Sequence, residues 1–241
     1  MKTWAAGMVA AGILVSGAAQ AALIDRGGGL IYDTTLNVTW LQDANYAKTS
    51  GYDADGKMTW SQANTWAANL VYGGFSDWRL ASNTPVGAAW NYNYATNGST
   101  DVGYNITSPH SELSYMYYVN LGLHGYYTPA GAYDPTFGIY GNGAGGGQAN
   151  VGLVNNLQSY YYWSGTEYAP LPASSAWLFY TDFGAQGYGL QSDTLYAWAV
   201  RPGDVAAPPS VPEPATLVLT LAGVAMAGLA KRRRLHPVKA A

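Results

Sequence analysis

No cysteine occurs among the 241 residues, which excludes disulfides, thiol nucleophiles and Cys-ligated metals. Histidine is nearly as scarce, and only His110 and His124 precede the C-terminal segment, thin material for a zinc site. Charged residues make up 10% of the chain, and cations are the scarcest of them through its body. From Asp25 to Glu213, fourteen acidic residues face only Arg26, Lys48, Lys57, Arg79 and Arg201, a net charge of −9. A nucleic acid or other polyanion needs Lys or Arg to displace its counterions, so such partners are disfavoured. G-x-S-x-G, H-E-x-x-H and phosphate-cradling glycine motifs are missing as well. The sequence therefore predicts no catalytic residues, no metal and no cofactor.

Long apolar runs are confined to the two ends. Lys2, the small and apolar stretch 5–17, and Ala19-Gln20-Ala21 have the order of a secretory signal peptide, residues 1–21, with the mature chain starting at Ala22. At the other end, Val211, Pro212, Glu213 and Pro214 precede an uninterrupted apolar run, 215–230, and then Lys231, Arg232, Arg233 and Arg234. Sixteen helical residues rise about 24 Å, a minimal membrane span. The four cations are expected to stay cytoplasmic with the tail 235–241, leaving everything before the span on the far side of the membrane. Residues 204–210, rich in Pro and Ala, read as an extended linker. This arrangement resembles the PEP-CTERM sorting signal of Gram-negative bacteria. The resemblance implies an exosortase as partner, transient residence in the inner membrane through the C-terminal helix, and delivery to the cell surface or extracellular matrix. A plain membrane anchor is the alternative reading.

Between the two signals, residues 22–203 suit one domain. That region is rich in tyrosine, with clusters at Tyr115/Tyr117/Tyr118, Tyr126/Tyr127 and Tyr160-Tyr161-Tyr162-Trp163. Tyrosine buries a ring while keeping its hydroxyl wet, so such clusters suit both a core edge and a binding surface. Residues 30–32 and 38–41 read as a hairpin around a polar turn, and Asp53-Ala54-Asp55-Gly56 as a second turn. Thr59 and Gln62 form a capping box before Ala63, Trp66, Ala67 and Leu70, which recur at helical spacing. Ser108-Pro109 reads as the start of a second helix, with Leu113, Met116 and Tyr117 inward and Gly122 as its stop. Residues 138–147, with six glycines, predict a loop. Residues 177–183, 188–192 and 196–201 predict closing strands, the first two joined around 184–187. The expected class is α+β, one mixed domain of antiparallel strands and two main helices.

From about Ile24 to Gly203 the chain resembles the Lcl C-terminal domain family. The resemblance rests on Asp25-Arg26 with Gly27 to Gly29, Met58-Thr59-Trp60, Asp77-Trp78-Arg79-Leu80, Ser111-Glu112-Leu113, Tyr162-Trp163-Ser164-Gly165-Thr166-Glu167, Ala176-Trp177 and Val200-Arg201-Pro202. Ala81 and Gly165 stand where the family more often has Pro and Ser. The resemblance implies a strand-and-helix order similar to C-type-lectin-like and formylglycine-generating folds. It also implies shared roles for Trp78, Arg79, Glu112, Trp163, Glu167 and Arg201. The sulfated ligand associated with the family is not carried over, because the charge balance opposes it.

Several residue sets admit two readings. Arg79 and Arg201 either bind an acidic sugar or pair internally with carboxylates such as Glu112 and Glu167, and internal pairing is the expectation. Asp53 and Asp55 either ligate Ca²⁺ or make an Asp-Gly turn, and the turn is expected because the spacing is not an EF-hand. Glu112 with Glu167 is the form a hydrolase's acid and base would take. Tyr160, Tyr161 and Tyr162 form either an outward stacking platform or a strand buried on both faces. The function expected is a secreted, non-catalytic surface or matrix protein that binds extracellular polysaccharide, with Tyr126 and Tyr127 and the loop 138–147 also at its ligand surface. A polysaccharide-active hydrolase is the alternative.

Overall fold

The polar turn after Ile31-Tyr32 is held by Asp33, whose Oδ1 accepts hydrogen bonds from the backbone N–H of Thr35 and Leu36 at 2.9 Å each. Asn37 takes a positive φ of 52°, a conformation that asparagine tolerates. The predicted hairpin follows: β2 (Leu30–Asp33) pairs antiparallel with β3 (Val38–Leu41). The computed structural model describes residues 23–205. The signal peptide, Val211 to Pro214, the apolar run, Lys231 to Arg234 and the tail all lie outside the described residues. So does the linker from 206 onward. Among the described residues no helix is long and apolar enough to cross a membrane.

The hairpin sits in a five-stranded sheet of order β1–β2–β3–β14–β5, with β1 (Leu23–Gly27), β5 (Arg79–Leu80) and β14 (Ala199–Pro202). A seven-stranded sheet runs β4–β13–β10–β11–β12–β7–β6. Its members are β4 (Lys57–Met58), β6 (Tyr94–Ala95), β7 (Val102–Tyr104), β10 (Tyr161–Glu167), β11 (Ser175–Tyr180), β12 (Ala185–Leu190) and β13 (Leu195–Tyr196). β8 (Gln148–Val151) and β9 (Val154–Gln158) form a separate antiparallel pair. With the short α1 (Tyr46–Thr49), α2 (Trp60–Ala68) and α3 (Glu112–Tyr115), the class is α+β, as expected.

The capping box is formed. Thr59 Oγ1 accepts from Gln62 N–H at 3.4 Å, and Gln62 Oε1 accepts from Thr59 N–H at 3.0 Å. Ala63, Trp66 and Ala67 are buried, while the helix ends at Ala68 and leaves Leu70 half-buried beyond it. The second helix starts later than Ser108-Pro109 predicts. Those residues make a turn closed by Ser111 N–H on Ser108 O, and Glu112 N–H is drawn to Ser82 O at 3.2 Å, which delays the first helical turn. After α3 the chain widens into a π-helical turn, Met116–Asn120, and Gly122 follows at φ +62°. The β11–β12 turn lies at 181–184, earlier than expected. Thr181 N–H is held by Tyr160 O at 2.9 Å and Gly184 supplies the positive φ, so Gly187 falls inside β12.

The expected strand 196–201 is divided between the two sheets. Its middle residue, Trp198, is 3% exposed, packs against Trp40 with the rings tilted and their centroids 4.8 Å apart, and donates its indole N–H to Leu41 O at 2.7 Å. Burying one large indole at this point turns the chain from the seven-stranded sheet to the five-stranded one. Trp40, Tyr162, Trp198, Phe179, Tyr117 and Leu157 belong to the buried core, and the seven-stranded sheet packs one face of its middle strands against it.

Candidate functional site

The residues that carry the family-like motifs are mostly internal. Arg79 makes a two-pronged pair with Glu112, 2.7 Å on each oxygen, and Ser82 N–H adds a third bond at 2.6 Å to the same carboxylate. Trp78 is buried and donates to Phe75 O; Trp163 is fully buried and donates to Met58 O at 2.9 Å. Two details differ from expectation. Arg201 pairs with Asp77 at 2.8 and 3.0 Å, not with Glu112 or Glu167, because β14 lies beside β5, which follows directly on Asp77. It also lies over the Phe75 ring at 4.0 Å. Glu167 ends β10 exposed, and its carboxylate has no hydrogen bond or ion pair among the described residues. Glu112 is engaged with Arg79 while Glu167 is unpartnered, so no contact joins the two carboxylates.

Asp53 accepts from the N–H of Asp55 and Gly56, and Asp55 accepts from Lys57 N–H, a bond that holds its carboxyl below the usual range. These are turn contacts. Among the described residues no group of three or more His, Cys, Asp or Glu is placed to hold a metal ion.

The aromatic segments converge on the seven-stranded sheet. Strand alternation sends Tyr162 and Phe179 into the core, and sends their neighbours Tyr161 and Tyr180 to the opposite face. The register aligns Tyr161↔Tyr180, Tyr180↔Ala185 and Ala185↔Tyr104 across β10, β11, β12 and β7. At the usual strand spacing this row is about 14 Å long. Ala185 is the low point of the row, with Gly187 two residues along β12 on the same face, and the tyrosines stand on either side. The result is an open groove of about 510 Å³ lined by Tyr94, Tyr104, Tyr161, Tyr180, Phe183 and Tyr188 around that small-residue floor. A second groove of about 560 Å³ adjoins it, sharing Tyr161, Tyr180 and Tyr188 and bordered by Ser192, Asp193 and Thr194. Both volumes fall in the range of small-ligand sites.

The rings brace one another. Tyr160 stacks on Tyr161 at 4.4 Å, and Tyr161 meets Tyr180 edge-on at 4.3 Å. On the other side Tyr104 meets Tyr94 at 6.2 Å and Tyr127 at 5.3 Å, and Tyr126 links Tyr127 to Phe183. The hydroxyls of Tyr94, Tyr104, Tyr160, Tyr161 and Tyr180 make no hydrogen bond among the described residues, whereas those of the buried Tyr117 and Tyr162 and the half-buried Tyr118 all do. Burial, reinforced by neighbouring tyrosines, pushes Tyr104 up to about 12. Burial also raises Tyr161 and Tyr180, with Asp182 adding to both shifts. These phenols therefore stay neutral at physiological pH, each able to donate and accept. No Lys or Arg lines either groove.

Of the candidate ligand-surface tyrosines in the sequence, Tyr126, Tyr127, Tyr160 and Tyr161 are at least partly exposed beside this face, whereas Tyr162 is fully buried in the core. The loop 138–147 docks beside the same strand, through Ser159 N–H on Gly147 O and Ser159 Oγ on Ala144 O. Sequence reasoning missed Tyr94, Tyr104, Tyr180 and Tyr188. The one local signal was Gly187-Tyr188-Gly189, an alternation that clears one face of a strand.

No curated protein and no solved structure matches the chain, so the likeness to lectin-like and formylglycine-generating folds rests on element order alone. A PEP-CTERM protein-sorting motif matches residues 210–234 and marks the chain for export and exosortase processing. The Lcl C-terminal domain matches residues 29–201, which takes in nearly every described strand and the whole tyrosine face, and the chain belongs to that family.

Proposed function

We propose that this exported protein is a non-catalytic polysaccharide-binding protein of the cell surface or extracellular matrix, and that it holds its ligand along the tyrosine grooves. One observation carries the reading: the row Tyr161, Tyr180, Ala185, Tyr104 presents unpartnered phenol hydroxyls beside a trough of small residues. A pyranose ring has apolar C–H faces and hydroxyls around its rim. Tyrosine offers a matching ring face and a polar tip, and sacrifices little side-chain entropy because neighbouring rings already hold it. The sorting motif supports the setting, since it delivers the chain to where such polymers lie. The hydrolase alternative lacks comparable support, as Glu112 is already bound to Arg79.

The test uses the full-length chain purified in detergent together with exopolysaccharide from the same cells. Saturable retention, unchanged polymer length, and loss of retention in the double variant Tyr161→Ala/Tyr180→Ala are expected. Full retention by that variant, or release of reducing ends by the parent, would overturn the proposal.

A further inference from the structure

We infer that the polysaccharide held in these grooves carries free primary amines, as in a deacetylated hexosamine polymer. The inference rests on the polysaccharide reading above and concerns the chemistry of its ligand.

The argument is charge complementarity at the second groove. Asp193 borders it in the loop between β12 and β13, exposed, with no hydrogen bond or ion pair to its carboxylate among the described residues. Its Oδ2 lies 3.6 Å from where a side chain at Gly189 would begin, so the missing side chain leaves the carboxylate reachable from the groove floor. Most other carboxylates of the domain are already occupied. Asp77, Glu112 and Asp204 pair with arginines, and Asp33 and Asp101 accept backbone N–H groups. Asp193 therefore stands out as an unused anion beside a set of ring faces.

The two grooves share the rings of Tyr161, Tyr180 and Tyr188, and an aromatic ring attracts cations through its negative π face. Asp182 adds a second negative group near Tyr104, Tyr161 and Tyr180, close enough to oppose their ionisation. On the cationic side there is little to compete. Lys57, the cation nearest Tyr160, lies 5.3 Å from that ring and is paired with Asp55 at 3.5 Å. Arg26, Arg79 and Arg201 are likewise paired. An anionic polymer would meet uncompensated Asp193, and a neutral one would leave it unused. An ammonium-bearing sugar satisfies the carboxylate and the ring faces together.

The experiment titrates the full-length protein with three probes of equal length: a glucosamine hexamer, its N-acetylated counterpart, and a neutral glucose hexamer. An exposed ion pair and a cation–π contact together predict about fivefold tighter binding of the glucosamine hexamer. That advantage should shrink in high salt, whereas neutral binding should not. Asp193→Asn, on an exposed loop, should keep the parental melting curve and cut the preference for the glucosamine hexamer to about twofold, the part left to the cation–π contact. Equal or tighter binding of the acetylated or glucose probe, or an unaltered preference in Asp193→Asn, would overturn the amine assignment and leave the polysaccharide reading standing. Binding of none of the three also overturns the amine assignment. The polysaccharide reading is then decided by retention on native exopolysaccharide.

Discussion

At the scale of single residues, ion pairs hold the scaffold and phenols furnish the site. Arg79 neutralises Glu112, which is 8% exposed, so Arg79→Ala leaves a buried carboxylate with only Ser82 N–H. Breaking a fully buried pair costs about 3–5 kcal/mol; with the Arg79 side chain 37% exposed, about 2–3 kcal/mol is expected. Denaturant unfolding should register that loss while polysaccharide retention by the folded variant stays at the parental level. Asp182 carries the opposite kind of strain. Burial raises its carboxyl above the ordinary value, and its Oδ1 is buried without a partner. A raised carboxyl favours the folded state while protonated, and that advantage disappears as pH climbs through the folded value. Asp182→Asn should therefore match the parent in acid and exceed it by about 1 kcal/mol near neutral pH, read from melting curves across that range. Asp77, held low by Arg201, works in the other sense: its stabilisation is present above the ordinary carboxylate range and fades as pH falls through its lowered value.

At the scale of elements, β12 decides the shape of the groove. A side chain at Gly187 would begin 2.9 Å from Tyr180 Cε2, so the ring lies over the strand only because glycine is there. Gly187 does not require a positive φ, which makes alanine acceptable to the backbone. Gly187→Ala should tilt Tyr180 out of the row and weaken polysaccharide retention, at a stability cost of about 1 kcal/mol. Gly103→Ala provides the contrast. Its Cβ would sit 1.9 Å from Ala95 O at a φ of +123°, so the β6–β7 edge must give way and the melting temperature should fall much further. Parental retention by Gly187→Ala would show that the ring position over Gly187 is unimportant.

At the scale of the whole molecule, charge and address are separate from the fold. The body carries a net −9, and four of its five cations are ion-paired within the described residues, leaving little to hold a polyanion. The described residues up to Asp204 form one compact unit, and the matched sorting motif follows it in sequence. Replacing Pro212, Glu213 and Pro214 by alanine, or deleting Lys231 to Arg234, should block delivery to the surface without shifting the domain's melting temperature. Cell fractionation and thermal unfolding of the same variants check both halves of that statement. Normal delivery with the tail cut at its usual point would contradict the sorting assignment.

Local chemistry made part of this protein legible from sequence alone. The Thr59–Gln62 capping box, the Asp33 turn and the loop 138–147 depend on neighbours a few residues apart, and the sorting motif is itself linear. Arg79 with Glu112 was also within reach, since few carboxylates stood in family-like positions. What sequence did not reveal depends on register. Tyr104 and Tyr180 are 76 positions apart, and they flank one trough only because β7 and β11 both pair with β12, offset so that Ala185 lies between them. In the same way Trp198 divides a continuous β-prone run, because its burial against Trp40 outweighs the local preference to stay extended in one sheet. Composition determined that the surface would be acidic and rich in tyrosine. The pairing of distant strands decided which tyrosines face solvent together, since one residue of slip in any strand would send its rings to the core.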